Sequence, residues 1–431
     1  MDCVDTILGG EAGRKRFVMA GLVTLLPAIS MMLVTTLSYI DRITLALLAP
    51  SILRETGLSN EQYGLIISGF SIAYMLGNPL WGRIVDRIGV RASMATAVSL
   101  WTLASVSHAF AGGVRGFLAA RTALGLGEAA SYPGAVRTAM QTLPPGKRMR
   151  GIAIVYSGGS LGALLTPILI TPVAAAWGWR AGFWLTGAMG ALWLALWGAI
   201  SRRRDLVRPQ PATIGPGATP RWNDRRVWAL MAAYALGASP IAFVLYQSSI
   251  YLSAALHKSQ IEIGHVLWIP PLGWEAGFLF WGWVTDRFVR SGPPAAMRRQ
   301  LFLTAILSLP LAAVPHVSSY PLTLAMLFLT MFVVSGFTIG ALAYGAREYS
   351  ANHSGLIAGL GSGSWSAIVA LEMPLVGRLF DLRAYNAAFA LATLLPVAGY
   401  TLWRLLDHSI QAPVVPHASS DAAEQAMIRS K

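Results

Sequence analysis

Charged residues are scarce in this chain. Asp, Glu, Lys and Arg together make up 12% of its 431 residues, which is about half the share of an ordinary soluble domain. Hydrophobic residues make up 55%, and the mean hydropathy is +0.55. So little charge cannot cover the surface of a soluble fold, and the composition therefore predicts a polytopic membrane protein embedded in a lipid bilayer.

Cysteine is almost absent as well. Cys3 is the only one, which excludes an intramolecular disulfide framework and a cysteine-based zinc site. The seven histidines are scattered, and there is no Gly-x-x-x-x-Gly-Lys nucleotide loop, so neither an intramembrane enzyme nor coupling to ATP is expected. The net charge of +14 is not gathered on a long polar stretch, which argues against a nucleic-acid partner. We expect no cofactor and no metal.

Long apolar runs dominate instead. We count twelve runs of about 20 residues or more, at 20–52, 61–85, 91–111, 115–142, 150–176, 179–200, 226–256, 260–286, 298–316, 320–346, 354–380 and 385–406. Lipid offers backbone polar groups no partner, so each run should be a helix. A β-barrel would show alternating patterns, which these continuous runs lack. The first run is too long for a signal peptide and is expected to be a retained span.

The interval 201–225 differs from the runs around it, because it is arginine-rich at both edges and rich in Pro, Gly and Ala between them. We interpret it as a cytoplasmic linker between two six-helix bundles, residues 1–200 and 226–407, followed by a disordered cytoplasmic tail, 408–431. With both termini cytoplasmic, most of the 33 lysines and arginines fall in inside loops. The outside loops then hold only Arg54, Arg115, Arg180, Lys258, Arg378 and Arg383.

The two halves share a motif. Residues 82–87 read Gly-Arg-Ile-Val-Asp-Arg at the end of the second run, and residues 282–287 read Gly-Trp-Val-Thr-Asp-Arg at the end of the eighth. The pattern Gly-x-x-x-Asp-Arg at equivalent positions predicts an internal duplication, with a binding site expected near the middle of the membrane.

Four ionisable residues interrupt the apolar runs of the first half. Asp41 and Arg42 are adjacent in the first run, and Arg121 and Glu128 lie seven residues apart in the fourth. Seven residues are two helical turns, about 10 Å along one face. Each charge at such a depth costs roughly 3 kcal/mol, so we predict a functional site there. The alternative is a permanent structural ion pair.

The loop that contains the first copy of the repeated motif carries a family resemblance. The loop after the second run, with Gly82, Asp86, Arg87, Gly89 and Arg91, resembles the signature loop of the major facilitator superfamily. The resemblance implies an all-α membrane protein with twelve transmembrane helices in two pseudo-symmetric six-helix bundles, the major facilitator fold. The signature-loop residues, with the second-half equivalents, are then expected to form the conformational gate: Gly82, Asp86, Arg87, Arg91, Asp286 and Arg287.

Within that superfamily, the chain most resembles the anion:cation symporter branch, which includes bacterial hexuronate, galactonate and glucarate carriers and carriers related to sialin. This resemblance is carried by residues 39–42, 121–133, 157–163 and 178–183. This implies a monomeric secondary transporter of the bacterial inner membrane that imports an organic anion, such as a sugar acid, with protons. Residues 246–252 depart from the Trp-Leu-Pro-rich segment of such carriers, so the resemblance does not identify the anion.

Electrostatics and the resemblance agree in assigning substrate anchoring to Arg42 and Arg121, because a guanidinium offers a carboxylate a planar fork of donors. Asp41 and Glu128 are assigned to proton coupling. Without substrate each arginine is neutralised by an acid, and the substrate replaces that acid once the acid takes a proton. Further candidates for reading substrate hydroxyls are Tyr39, Tyr74, Tyr156, Gln247, Ser362, Trp365 and Ser366.

Some interpretations stay open at this point. Glu275 and Glu372 are apolar-flanked acids that fit either a second proton site or a local hydrogen bond. Arg137 is expected to snorkel or to face a loop. A proton-driven exporter of the same fold would carry a Gly-rich pattern where residues 161–167 read Leu-Gly-Ala-Leu-Leu-Thr-Pro. A non-transporting membrane sensor would carry an appended soluble domain, for which no segment of this sequence is suited.

Overall fold

The computed structural model describes residues 2–207, 220–289, 294–349 and 354–407. In these ranges the chain forms α-helices, short 3-10 segments (His108–Phe110 and Leu309–His316) and a π-helical segment (Thr285–Val289), with no β-strand. The α-helices are α1 (Asp2–Thr56), α2 (Asn60–Ser107), α3 (Val114–Glu128), α4 (Ser131–Thr142), α5 (Pro145–Trp177), α6 (Trp179–Ile200), α7 (Arg204–Val207), α8 (Arg225–Gly237), α9 (Ser239–Ala254), α10 (Gln260–Val266), α11 (Ile269–Val284), α12 (Pro294–Leu307), α13 (Tyr320–Glu348), α14 (Ser354–Asp381) and α15 (Tyr385–Leu406). The predicted tail 408–431 and residues 208–219 of the predicted linker lie outside the described residues.

Each of the twelve predicted apolar runs falls on helical structure. Among the described residues, eight helical segments are long and apolar enough to cross a membrane on their own. The other four runs form the two parts of α2, the pair α3 and α4, and the pair α10 and α11. The all-helical class is therefore confirmed.

Helix boundaries inside the runs have local causes. Two predicted runs form the single element α2, whose helical path is interrupted at Gly89, where φ is +81°, a conformation that suits glycine. The seventh predicted run is broken between α8 and α9 at Ala238. Pro240 in the first turn of α9 has no N–H to continue the hydrogen-bond ladder. The helix is therefore interrupted in the middle of this run, and we call this interruption the hinge.

The helices pack as two halves. In the first half α1 packs on α4, α5 and α6, and α2 packs on α3 and α6. In the second half α13 packs on α8, α11 and α12, and α15 packs on α8. The halves meet mainly where α2 contacts α14, with smaller contacts of α1 on α9 and of α5 on α10 and α11.

The halves are sealed together at one end of the molecule, where α1 ends and α2 begins; we call it the closed end. The carboxylate of Asp381 accepts hydrogen bonds from the backbone N–H groups of Asn60 and Glu61, at 2.9 Å each. Ser68 donates to the carbonyl of Ala370 at 2.6 Å. A buried apolar cluster there contains residues of both halves, including those of α1, α2, α9 and α14.

The opposite end, the open end, lacks such a shared cluster among the described residues. One buried cluster there belongs to the first half and contains Trp81 and Val85. Another belongs to the second half and contains Leu230 and Trp403. Among the described residues, the two halves therefore share a buried apolar cluster at one end only.

Candidate functional site

Helix α1 and helix α3 meet at an ion pair. The Nε of Arg42 lies 2.6 Å from Oε2 of Glu128, and Ser38 donates to the same oxygen at 2.7 Å. Both charged residues are buried, with exposed fractions of 3% and 0%. Nη2 of Arg42 and Oε1 of Glu128 have no hydrogen-bond partner among the described residues. The pair thus keeps a free donor and a free acceptor.

Asp41 faces away from that pair. Its Oδ1 accepts a hydrogen bond from Ser105 at 2.6 Å, and Ser105 lies 2.7 Å from the hydroxyl of Thr186. Oδ2 has no partner among the described residues. We expected Asp41 to neutralise an arginine, but the structure instead bonds it to the hydroxyl of Ser105 on α2, which in turn contacts Thr186 of α6. The reason is that successive residues of a helix do not face each other, so Asp41 and Arg42 point in different directions.

Arg121 is buried without an acidic partner. Its exposed fraction is 1%, and its Nη2 donates to the carbonyl of Arg42 at 3.1 Å. Its Nε has no partner, and no described carboxylate forms an ion pair with it. Glu128, two turns away on α3, is occupied by Arg42. A buried charge without an ion-pair partner is costly, so this guanidinium has the capacity to bind an added anion.

Aromatic rings surround the guanidinium of Arg42. Its central carbon lies 4.4 Å from the ring centroid of Tyr74, 4.8 Å from that of Phe70 and 4.9 Å from that of Tyr39. The corresponding distance from Arg121 to Phe70 is 5.7 Å. Rings hold a cation without neutralising it. Phe70 was not among the predicted residues; its spacing of four from Tyr74 on α2 was the available signal.

The structure therefore brings together five predicted residues, namely Tyr39, Arg42, Tyr74, Arg121 and Glu128, while Asp41 bonds to Ser105 instead. The ring of Tyr39 also contacts Trp274 of the second half, with centroids 5.6 Å apart. Tyr156 lies beside Tyr132, with centroids 4.7 Å apart.

The predicted residues of the second half have no described hydrogen bond or ion pair to this cluster. Gln247 is buried and its Oε1 has no partner among the described residues. Ser362 and Ser366 donate to carbonyls of their own helix, at 3.4 and 3.0 Å. Trp365 donates from Nε1 to the carbonyl of Ala238 at 3.1 Å, which is the break between α8 and α9. Their assignment to substrate remains a prediction.

The predicted gate residues lie at the open end. Asp86, Arg87 and Arg91 of α2 are exposed, as are Asp286 and Arg287 of the π-helical segment, and Gly82 is half-buried. An ion pair of 3.6 Å joins Asp86 to Arg137 of α4, a partner that the sequence did not indicate. The ion pair between Asp86 and Arg137 lies within the first half, and the gate role stays a prediction.

Glu275 and Glu372, the two acids whose roles the sequence left undecided, each accept a hydrogen bond from a serine hydroxyl. Glu275 of α11 accepts a short hydrogen bond from Ser160 of α5, which joins the two halves. Glu372 of α14 accepts from Ser239 of its own half at 2.7 Å.

Helical spans in two halves, sealed at one end and holding buried charge, define a membrane transporter of the secondary class. The chain belongs to the Major Facilitator Superfamily, since the model of that family matches residues 31–371. The predicted family and fold are thereby confirmed, and the family is one of transporters, not enzymes.

Relatives with known roles match most or part of the chain. The hexuronate transporter of Escherichia coli K12 is 23% identical over 419 residues, covering 91% of this chain and 96% of that protein. The galacturonate transporter of Dickeya chrysanthemi is 30% identical over 182 residues, covering 42% of this chain and 50% of that protein. A solved structure of a bacterial homologue of the human lysosomal transporter Spinster, inward-facing and occupied, covers 88% of this chain and 96% of that one, with a TM-score of 0.73 and 16% identity. That likeness concerns the fold alone.

Proposed function

We propose that the protein is a proton-coupled symporter that imports an organic anion, a sugar acid or a similar carboxylate, by alternating access. The observation that carries the proposal is Arg121, a buried guanidinium with no carboxylate partner among the described residues. The names of the relatives supply the substrate class, since they include carriers of hexuronate, galacturonate and D-galactonate.

Substrate binding follows from the charges. A carboxylate placed between Arg121 and Arg42 meets the free Nε of the first and the free Nη2 of the second. Both donors belong to planar forks, which orient a carboxylate as well as attract it. Hydroxyl groups of the substrate find partners in Tyr74, whose buried hydroxyl is unpartnered among the described residues, and in the other predicted polar residues.

Proton coupling follows from competition for Arg42. In the absence of substrate, Glu128 occupies this arginine at 2.6 Å. When Glu128 takes a proton it no longer needs the cation, and Arg42 becomes available to the incoming carboxylate. Anion and proton binding then favour each other, as linkage requires. Asp41 accepts a hydrogen bond from Ser105, and Ser105 contacts Thr186, so Asp41 connects α1 to α2 and α6. It does not bind the substrate in this proposal.

The closed end faces the outside in this proposal, and the open end faces the cytoplasm together with both termini. The excess of Lys and Arg in the loops of the open end supports this orientation. The protein then works as a monomer in a bacterial inner membrane, with residues 1–200 and 226–407 as bundles that rock about the site. The gate residues at the open end, Asp86 and Arg87 among them, would close it in the other access state.

The test is uptake by the purified protein in proteoliposomes, using labelled D-glucuronate or D-galacturonate with a proton gradient directed inward. We expect accumulation above equilibrium, which collapses when a proton ionophore is added. An exporter would instead drive the anion against the proton flux, and equal uptake with and without the gradient would contradict proton coupling. Empty liposomes and the Arg121→Ala variant serve as controls.

A further inference from the structure

A carboxylate without a cationic partner lies in the second half. Glu372 on α14 is 5% exposed. Its Oε2 accepts a hydrogen bond from the hydroxyl of Ser239 at 2.7 Å, and its Oε1 has no partner among the described residues. An ionised carboxylate in such surroundings is strongly unfavourable, whereas a proton removes the charge and with it most of the cost.

The neighbouring helices bring no charge to this carboxylate. Helix α14 packs on α2, α8, α9, α13 and α15, and among their described residues only Ser239 bonds to Glu372. The Asp, Glu, Lys and Arg residues of these helices are all exposed or half-buried, in contrast to Glu372, and they are Glu61, Arg83, Asp86, Arg87, Arg91, Arg225, Arg226, Arg347, Glu348 and Arg404. A proton is therefore the cation that this site can hold.

Glu372 is attached to the hinge of the second half. Ser239, its donor, is the first residue of α9, directly after the break at Ala238. Trp365 lies two turns before Glu372 on α14 and donates to the carbonyl of Ala238 at 3.1 Å. Two side chains of α14 thus hold the two sides of the break, so a change of charge on Glu372 acts on the hinge.

Glu372 also lies in the stretch of α14 that seals the closed end. The carbonyl of Ala370 accepts from Ser68 of α2 at 2.6 Å. The backbone of Met373 packs directly on Gly64 of α2, where a Cβ would clash with the Met373 carbonyl. Water can reach the carboxylate from this side only if α14 moves away from α2.

We propose that Glu372 is a second proton-binding site, which holds the closed end shut when protonated and opens it when it loses the proton. This deepens the proposed function, since it assigns a proton to closure in addition to the proton that competes for Arg42. The ionised form needs hydration, and hydration needs separation of α14 from α2. The neutral form allows the apolar contacts of the closed end to form.

The test measures the closed end directly, without transport. Spin labels are placed on Arg54→Cys in the first half and Leu382→Cys in the second, in a Cys3→Ser background; both positions are exposed. Pulsed electron spin resonance then gives the distance between the halves in nanodiscs at pH 5 and pH 8.5. With Glu372 present, we expect longer distances to gain population at pH 8.5.

The Glu372→Gln variant keeps the shape but has no proton to lose, and we expect the short distance at both pH values. Glu372→Asp keeps a carboxyl and must keep the shift. Glu275→Gln is the matched control, because Glu275 also accepts from a serine hydroxyl, and it must keep the shift as well. A shift that persists in Glu372→Gln, or one that disappears in Glu275→Gln too, would overturn the proposal.

Failure of this proposal is distinguishable from failure of the proposed function. If the shift persists in Glu372→Gln but disappears in Glu128→Gln, proton coupling stands and Glu372 has no part in it. If no pH shift occurs even with both acids present, the closure of this end does not depend on protons, and the Glu372 site is overturned whatever the uptake measurements show.

Discussion

The guanidinium of Arg42 and the carboxylate of Glu128 come from two different helices and lie 2.6 Å apart in the buried part of the first half. Their pairing leaves Arg121, on the same helix as Glu128, without an acid among the described residues. Arg121 thus makes no ion pair with a described residue, and its free Nε is the physical basis of the proposed substrate recognition.

Arg121→Lys keeps the charge but loses the planar fork of donors. A charge-assisted hydrogen bond contributes about 1.5–3 kcal/mol, so we expect the dissociation constant for the anion to rise about ten- to hundredfold. Titration calorimetry of the purified protein measures it. The matched change Arg180→Lys affects a half-exposed arginine paired with Glu55 at the closed end, and it should leave the affinity unchanged. If Arg121→Lys binds the anion as tightly as Arg180→Lys does, bidentate binding of the carboxylate by Arg121 is contradicted.

Tyr74→Phe removes a buried hydroxyl that has no partner among the described residues, while the ring 4.4 Å from Arg42 stays. We expect the melting temperature to be unchanged, because no protein hydrogen bond is lost. The affinity for a hydroxylated sugar acid should fall about fivefold, which corresponds to about 1 kcal/mol for one hydrogen bond. The affinity for a carboxylate without hydroxyls should not change. A loss that is equal for both ligands would place the hydroxyl of Tyr74 outside substrate recognition.

Gly64→Ala tests the closed end by steric conflict. The added Cβ would meet the backbone carbonyl of Met373, which cannot move aside as a flexible side chain could. We expect the spin-label distance between positions 54 and 382 to lengthen at every pH. Gly359→Ala is the control, since a Cβ there meets no atom within 4 Å, and it should leave the distance distribution unchanged. An unaltered distance in Gly64→Ala would show that this contact does not decide closure.

The sequence identified the buried charged residues more completely than the contacts that they make. Charges inside apolar runs are visible in any sequence, so Asp41, Arg42, Arg121 and Glu128 were all identified, and their burial agrees with that prediction. The partner of Asp41 was not predictable, because it is Ser105, one of many small polar residues in these helices. Phe70 was missed because its signal was weak, namely a spacing of four residues from Tyr74 on α2.

The same distinction holds for the fold, whose helices were predictable from the sequence and whose long-range contacts were not. Hydrophobic runs and the repeated Gly-x-x-x-Asp-Arg motif predicted the helical spans and their two halves, because lipid leaves the backbone no other arrangement. The seal between α2 and α14 depends on contacts between segments distant in the chain. Local patterns contain no information about which of two access states such contacts favour.

The most direct test of the central claim is the Glu128→Gln variant in proteoliposomes, assayed for exchange and for accumulation of the same labelled hexuronate. The variant permanently removes the competitor for Arg42, so the account predicts exchange close to that of the unaltered protein, affinity that no longer depends on pH, and no accumulation above equilibrium under an inward proton gradient. Accumulation by Glu128→Gln equal to that of the unaltered protein would contradict the claim that proton and anion compete through this carboxylate.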